Sequence, residues 1–183
     1  MAADTFKTST HTPAHLLRAG AYYLITGATY QHVPHLAASE RKRAWHSAFV
    51  FAAERYGWTV KAWVVLANHY HVMVQAPEEE AGNLPAFVAS YHKFTAREWN
   101  DEDRRPGRKV WWNYWDTCLR AEADYLARWN YVHWNPVKHK LVRHPQDYAF
   151  SSYREFFDAA PVEVQGIEHQ YPFEQIEDVP DDF

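Results

Sequence analysis

WTVKAWVVLANHYHVMVQ, which spans residues 58–75, is the most informative segment for the fold. Both of its halves are rich in β-branched and aromatic residues, which predicts strands over Trp58–Leu66 and Tyr70–Gln75. The short break at Ala67-Asn68 is typical of the turn in an antiparallel hairpin. We therefore expect a sheet that contains this hairpin.

Two further elements are predicted before the hairpin. Ala21–Tyr30 has the aromatic and β-branched composition of a strand. Apolar residues recur at helical spacing over His35–Tyr56, and Gly57 follows in the position of a helix C-cap. A strand and an amphipathic helix should therefore precede the hairpin.

Three elements are predicted after the hairpin. Asn83 is a candidate N-cap for a helix that continues through Trp99. Val110–Leu119 resembles a strand, and Ala121–Trp134 resembles a helix that Pro136 should stop. The order β-α-β-β-α-β-α predicts an α+β fold of the ferredoxin-like kind, in which helices cover one face of an antiparallel sheet.

The charge of the chain is unevenly distributed. The net charge of the 183 residues is −4, which argues at first sight against a nucleic-acid partner. All 19 Lys and Arg residues lie at or before Arg154, whereas nine of the 23 acidic residues follow it. The body therefore carries +5 and the end −9, and we divide the chain into an N-terminal arm (1–19), a main domain (20–155) and a solvated acidic tail (156–183).

Other features of the composition exclude several classes of protein. The single cysteine, Cys118, rules out an intramolecular disulfide framework and a cysteine-rich zinc site. No apolar stretch is long enough to span a membrane, and residues 1–18 lack an apolar signal core. A soluble cytoplasmic protein is therefore expected.

His69 and His71 form a histidine pair at the start of the second hairpin strand. Residues i and i+2 of a strand point to the same face, so both imidazoles could reach one divalent metal ion. The chain contains twelve histidines, and such a pair also arises by chance. The alternative is a pair of structural histidines with ordinary hydrogen bonds.

Tyr131 and Asn135 lie near the end of the third predicted helix. Residues four apart share one helix face, with Cβ atoms about 5–6 Å apart, so a phenol and an amide could serve one site. The alternative is a core aromatic and a helix-end residue before proline. His133 lies on a different face and is predicted to be structural.

Three ordered motifs resemble those of the REP-associated tyrosine transposases, relatives of the small insertion-sequence transposases with one catalytic tyrosine. The motifs are the strand-turn-strand Ala62–Val72 (AWVVLANHYHV), the helix end Tyr131–Val142 (YVHWNPVKHKLV), which follows the Trp-rich strand at Val110, and Pro145–Tyr153 (PQDYAFSSY). The resemblance covers about residues 20–155. Ala67 stands where the family usually has proline, and Lys140 where it often has glycine.

The resemblance implies a role for each of four residues. His69 and His71 would form the histidine-hydrophobic-histidine metal motif, with Asn135 as the third protein ligand, and Mg²⁺ or Mn²⁺ suits this mixed donor set. Tyr131 would be the nucleophile, leaving a covalent 5′-phosphotyrosine and a free 3′-OH. The implied activity is that of an HUH endonuclease and strand transferase.

The implied partner is single-stranded DNA with a palindromic hairpin of the repetitive extragenic kind. Nine Trp residues offer surfaces for stacking unpaired bases, although most are expected in the core. Ten basic residues are candidates for phosphate contacts: Arg41, Lys42, Arg43, Arg104, Arg105, Arg108, Lys109, Lys138, Lys140 and Arg143. The acidic tail could compete with the phosphates for this basic surface.

Two other functions remain open at this point. An α+β sheet with exposed aromatics could bind single strands without catalysis and without metal. Alternatively, His69 and His71 could bind a metal in a phosphoesterase whose nucleophile is water. The sequence predicts no membrane partner, and it is compatible with a monomer or a homodimer.

Overall fold

The computed structural model describes residues 5–9, 12–79, 82–176 and 179, and the side chains of residues 5–17 and 175 lie outside this description. The strands are β1 Thr5–Ser9, β2 Thr12–Leu17, β3 Tyr22–Thr29, β4 Thr59–Val65, β5 His69–Gln75 and β6 Trp111–Leu119. The helices are α1 Ser39–Tyr56, α2 Leu84–Glu102, α3 Glu122–Lys138, α4 Tyr153–Ala159 and α5 Pro161–Gln170. Short 3₁₀ turns occupy Tyr30–His32, Pro145–Asp147 and Phe173–Gln175.

A four-stranded antiparallel sheet with the order β4-β5-β3-β6 forms the centre of the fold. The expected β-α-β-β-α-β-α order is confirmed over residues 22–138, as is the hairpin β4-β5, but β1 and β2 precede this order and α4 and α5 follow it. The two central strands bring Thr26 of β3 opposite His71 of β5, and the outer strand brings Trp115 of β6 opposite the same threonine. Residues of three neighbouring strands therefore lie side by side.

Helices cover both faces of the sheet, so the expectation that they cover one face is wrong. Trp45 and Phe49 of α1, with Phe87 of α2, pack on one face, whereas Tyr131 of α3 belongs to the core on the other. Six of the seven residues of β5 are buried, and a strand that is buried on both faces needs a layer on each side.

Helix α3 runs through Pro136 to Lys138, so the prediction that proline stops it is wrong. Proline in a helix removes one hydrogen bond and usually costs about 3 kcal/mol. Here Pro136 is buried, and the helix ends in a Schellman motif: Leu141 N–H donates to the Pro136 carbonyl and Lys140 N–H to the Val137 carbonyl. Packing and this end motif override the local rule, and they keep Asn135 inside the helix.

Two helix starts also differ in detail from the sequence expectation. Helix α1 begins at Ser39 rather than His35. Asn83 occupies the N-cap position of α2, but its side chain does not cap the helix. Its amide instead donates to the Tyr56 carbonyl, and its Oδ1 accepts from the Trp58 indole. Asn83 therefore joins the end of α1 to the start of β4.

The described part of the segment 156–183 is folded rather than a solvated tail. Helix α4 crosses the boundary placed between residues 155 and 156. In α5 the Glu168 carboxylate accepts hydrogen bonds from the Trp134 indole at 2.9 Å and the Tyr153 hydroxyl at 2.8 Å. Val164 is buried against the same layer. The predicted arm, residues 1–19, contains the antiparallel hairpin β1-β2, with β2 beside β6.

The helices of the described residues do not have the length and apolarity that a membrane-spanning segment needs.

Candidate active site

His69 and His71 lie on the face of β5 that α3 covers. They alternate with Tyr70 and Val72, which face the opposite core, as the strand period requires. Both imidazoles are buried, and their ring centroids are 5.2 Å apart. The predicted pairing of the two histidines on one face is therefore what the structure has.

Hydrogen bonds to the Nδ1 atoms orient both rings. Nδ1 of His71 lies 2.8 Å from the Thr26 hydroxyl, and Nδ1 of His69 lies 2.8 Å from Oδ1 of Asn68. Because an amide oxygen only accepts, the second contact assigns the His69 proton to Nδ1. Such a partner leaves Nε2 as the basic nitrogen of the ring, which is the usual arrangement behind a metal-ligating histidine.

Helix α3 places Tyr131 over this histidine pair. The Tyr131 ring is fully buried, and its centroid lies 5.4 Å from that of His71. One helical turn later is Asn135, also fully buried, and one turn beyond that is His139, whose ring centroid is 5.0 Å from that of His69. Asn135 therefore lies on the same helix face, between the turns that contact the two histidines.

Two residues of α3 and its end cover this buried set. Nζ of Lys138 is 3.5 Å from the Tyr131 hydroxyl and 4.9 Å from the centroid of its ring. The His139 ring packs against the His69 ring. The sequence predicts Lys138 only as a phosphate contact, and His139 is not among the predicted site residues. The spacing of four residues from Tyr131 to Asn135 to His139 is the signal that could have revealed it.

The donor set fits a divalent metal ion. It contains two imidazoles and one amide, a mixture of nitrogen and oxygen donors that a divalent metal ion can accept. The described residues hold no cluster of three or more His, Cys, Asp or Glu placed around one ion. An amide is outside that set of residue types, so a site with three protein ligands would need Asn135.

His133 has the structural role predicted for it. It is fully buried, and its Nε2 lies 2.8 Å from the Ser152 hydroxyl, away from the histidine pair. Burial lowers the pKa of His133 to about 3, which keeps the ring neutral.

The ten predicted phosphate contacts lie on several elements of the fold. Lys42 is buried and donates to the Tyr148 hydroxyl at 2.9 Å, so the structure gives it a structural role. Arg41 and Arg108 both bind the Asp103 carboxylate, and Arg43 pairs with Glu40. The other six lie at the end of α3, in the α2-β6 loop and in the segment after α3: Lys138, Arg104, Arg105, Lys109, Lys140 and Arg143.

Lys140 follows α3 in the left-handed conformation, with φ of 57°. This conformation favours glycine, which is the residue that the resemblance gives for this position. The substitution of lysine therefore leaves the turn intact at some cost in backbone strain.

Comparisons with known proteins confirm the resemblance that the motifs indicated. No family model matches the chain. A Haemophilus influenzae protein named as a REP-associated tyrosine transposase is 25% identical over 115 residues, which cover 58% of this chain and 65% of that protein. A REP-associated tyrosine transposase of Escherichia coli is 29% identical over 96 residues, which cover 51% of this chain and 53% of that protein. The matched regions thus span about half to two thirds of these relatives.

A solved structure supports the same fold. The structure of a REP-associated tyrosine transposase bound to a REP hairpin superposes with a TM-score of 0.67, over 95% of this chain and 94% of that chain, at 20% identity. The chain therefore shares its α+β fold, which is built on the four-stranded antiparallel sheet, with that structure.

Proposed function

We propose that this chain is a metal-dependent endonuclease and strand transferase that cleaves single-stranded DNA beside a hairpin through a covalent tyrosine intermediate. One observation carries the proposal: the centroid of the buried Tyr131 ring lies 5.4 Å from that of the His71 ring, although the two residues are 60 positions apart in the sequence. A phenol, two oriented imidazoles and an amide on facing elements match the roles that the resemblance implies.

The proposed reaction exchanges one phosphodiester bond for another. Oη of Tyr131 attacks the scissile phosphorus and loses its proton to solvent, the new O–P bond forms, and the bond from phosphorus to the 3′-oxygen breaks. The leaving 3′-oxygen takes up a proton. Attack by another 3′-OH on the phosphotyrosine reverses these changes and joins the strands, so no external energy source is required.

Lys138 is placed to assist the attack. Its ammonium group, 3.5 Å from the Tyr131 hydroxyl, would stabilise negative charge on that oxygen or on the phosphate that approaches it. The charge has most effect where water is excluded, and the Tyr131 ring is fully buried.

His69, His71 and Asn135 would hold the divalent ion. When bound, such an ion neutralises charge that develops on the phosphate oxygens during the displacement. Thr26 and Asn68 would keep the two imidazoles in the ligating orientation through their contacts with Nδ1.

The substrate must open the site before it can react. His69 is 1% exposed, and the other three proposed site residues are fully buried. Lys138, which is exposed, and His139 lie against them, so a phosphate that enters the site would meet the Lys138 ammonium group first.

The hairpin partner is proposed from the relatives. The two curated relatives are named for REP association, and the structure with the matching fold is bound to a REP hairpin. A cytoplasmic location and a monomeric or homodimeric state stay predictions.

Strand scission in the presence and absence of metal tests the proposal. A labelled strand that contains a hairpin with unpaired flanks should be cut in Mg²⁺ and left intact in EDTA. His69→Ala or His71→Ala should reduce cutting at least 100-fold, whereas the exposed His169→Ala should not.

Two results would contradict the proposal in different ways. Hairpin binding without any metal-dependent scission would indicate a non-catalytic binding module. Metal-dependent scission with multiple turnovers and no covalent adduct would indicate a phosphoesterase that uses water.

A further inference from the structure

A cavity of about 380 Å³ lies at the end of the sheet beside the candidate active site. Ala28 and Trp115 are among its lining residues, and both are tied to the histidines by the strand register. Ala28 lies opposite His69, and Trp115 lies opposite Thr26, whose hydroxyl contacts His71. Directly paired residues share a face of the sheet, so the cavity is on the histidine side, one to two strands away.

The open wall of this cavity is aromatic and cationic. Trp112 is 44% exposed, and its ring centroid is 5.2 Å from that of Tyr30. Nζ of Lys109 lies 3.9 Å from the Trp112 centroid and 4.7 Å from the Tyr30 centroid. An exposed indole beside a cation can serve as a stacking surface for an unpaired base next to its phosphate.

The opposite wall has polar groups on a strained backbone. Gln31 and His32 are both in the left-handed region, with φ of 54° and 57°. Such strain persists only where the surroundings enforce it, and it is common at binding sites. The Thr29 hydroxyl donates to the Val33 carbonyl at 2.7 Å and so helps to hold the turn that contains Gln31 and His32. The wall therefore presents polar edges beside an aromatic surface.

Asn68 connects the cavity to the active site. Its Nδ2 reaches the His32 carbonyl at 3.5 Å, and its Oδ1 accepts from Nδ1 of His69. Thr29 N–H also donates to the Asn68 carbonyl at 2.8 Å. One residue therefore holds both the cavity wall and a proposed metal ligand in register.

We propose that this cavity binds one unpaired nucleobase of the strand that is cleaved, next to the scissile phosphate. Trp112 provides the stacking surface, Gln31 and His32 contact the edge of the base, and Lys109 contacts the adjoining phosphate. A neighbouring cavity of about 290 Å³, lined by Arg105, Arg108 and Lys109, continues the basic surface for the backbone. The inference rests on the proposed function for the identity of the strand.

Binding without cleavage tests this inference separately from the catalytic proposal. The background is Tyr131→Phe in EDTA, and the probes are fluorescein-labelled DNA hairpins, either blunt or with four unpaired thymidines on the 5′ or the 3′ side. Trp112→Ala should weaken binding of one extended hairpin about 10-fold, because stacking of one base contributes about 1–3 kcal/mol. Binding of the blunt hairpin should change less than twofold.

Matched variants show whether the effect comes from this cavity. Trp112→Phe should recover most of the affinity, and Lys109→Gln should reduce the dependence of affinity on salt. Phe51→Ala, at a residue that is 63% exposed on α1, should have no effect on either probe. Equal loss for blunt and extended hairpins, or no loss for either extension, would overturn the inference.

A second measurement does not depend on how the variant folds. A 5-iodouracil base placed in the extension should photocrosslink the unmodified protein at the peptides that contain Tyr30 or Trp112, and crosslinks elsewhere alone would contradict the inference. A protein that loses scission but keeps this extension-dependent binding would refute the catalytic proposal and leave the base-binding site in place. Scission without extension-dependent binding would do the reverse.

Discussion

Gly27 in β3 shows how closely the two central strands approach beneath the candidate site. It lies opposite Tyr70 of β5, and a Cβ atom at position 27 would overlap the Tyr70 ring. The Tyr70 hydroxyl is 2.8 Å from both the Tyr91 hydroxyl and the His92 Nε2, so the ring has no room to move away. The absence of a side chain at Gly27 is therefore required by packing.

We expect Gly27→Ala to destabilise the protein by about 1–3 kcal/mol, the range for overpacking a rigid core. Gly166→Ala is the matched control, since no atom lies near the position of its Cβ and it is inside α5. That variant should be neutral or more stable by up to about 1 kcal/mol. Urea unfolding measures both, and equal stability of the two variants would contradict this account of Gly27.

The residues of the candidate site differ in how far sequence could identify them. His69 and His71 are predictable because their shared face follows from strand periodicity, and Tyr131 and Asn135 because four-residue spacing defines one helix face. That α3 covers the histidines is a tertiary fact, which only the family resemblance anticipated. His139 was missed because its side chain reaches the site from beyond the helix end.

At the scale of elements, local rules predicted the strands better than the helix ends. The hairpin β4-β5 follows from composition and a short turn. Helix α3 continues through Pro136 because burial and the Schellman hydrogen bonds at its end offset the lost backbone hydrogen bond. The rule that proline ends a helix considers neither of these contributions. The covering of both faces of β5 was also missed, because two histidines make one face of the strand look polar in the sequence.

Asp103 joins three elements at the end of α2. Its carboxylate accepts from Arg41 of α1 and from Arg108 of the following loop at 2.7 Å. Hydrogen bonds from the Arg41 and Arg108 guanidinium groups lower the pKa of Asp103 to about 2, below its ordinary value of 3.8. A carboxylate with a lowered pKa adds stability above its unfolded pKa, and that stability is lost as the pH falls from about 4 towards 2.

Asp103→Asn should therefore destabilise the protein by at most about 1 kcal/mol at pH 7, because solvent screens an ion pair whose Asp103 side chain is 30% exposed. The difference in urea midpoint between the unmodified protein and Asp103→Asn should be the same at pH 5 as at pH 7. It should be smaller at pH 3, and also smaller at pH 7 in 1 M NaCl. A difference that persists unchanged at pH 3 would show that the carboxylate charge is not its cause.

At the scale of the whole molecule, the acidic C-terminal segment packs against the rest of the fold and also lowers the net charge of the chain. Glu168 binds Trp134 and Tyr153, and the Asn130 amide donates to the Tyr171 carbonyl at 2.7 Å. The sequence showed the charge of this segment but not its packing, because scattered apolar residues such as Val164 give little amphipathic signal. Competition between the acidic groups and DNA phosphates stays a hypothesis.

Deletion of residues 161–183 should lower the free energy of unfolding by at least about 3 kcal/mol, through lost burial of Val164 and lost hydrogen bonds of Glu168. Thermal and urea unfolding measure the loss. Replacement of the exposed Asp158 and Glu163 by Asn and Gln removes charge while it keeps the helices, and stability should change by less than about 0.5 kcal/mol. Unchanged stability of the truncated chain would contradict the packing role of α5.

The central claim, that Tyr131 becomes covalently linked to DNA, has a direct measurement. A hairpin strand with unpaired flanks, labelled separately at its 5′ and 3′ ends, is incubated with the protein in Mg²⁺ and resolved under denaturing conditions. A 5′-phosphotyrosine retains the DNA on the 3′ side of the cut, so only the 3′ label should migrate with the protein, and Tyr131→Phe should abolish this band. Tyr125→Phe, on the same helix, should keep it. An adduct that persists in Tyr131→Phe, or one that carries the 5′ label, would contradict the account.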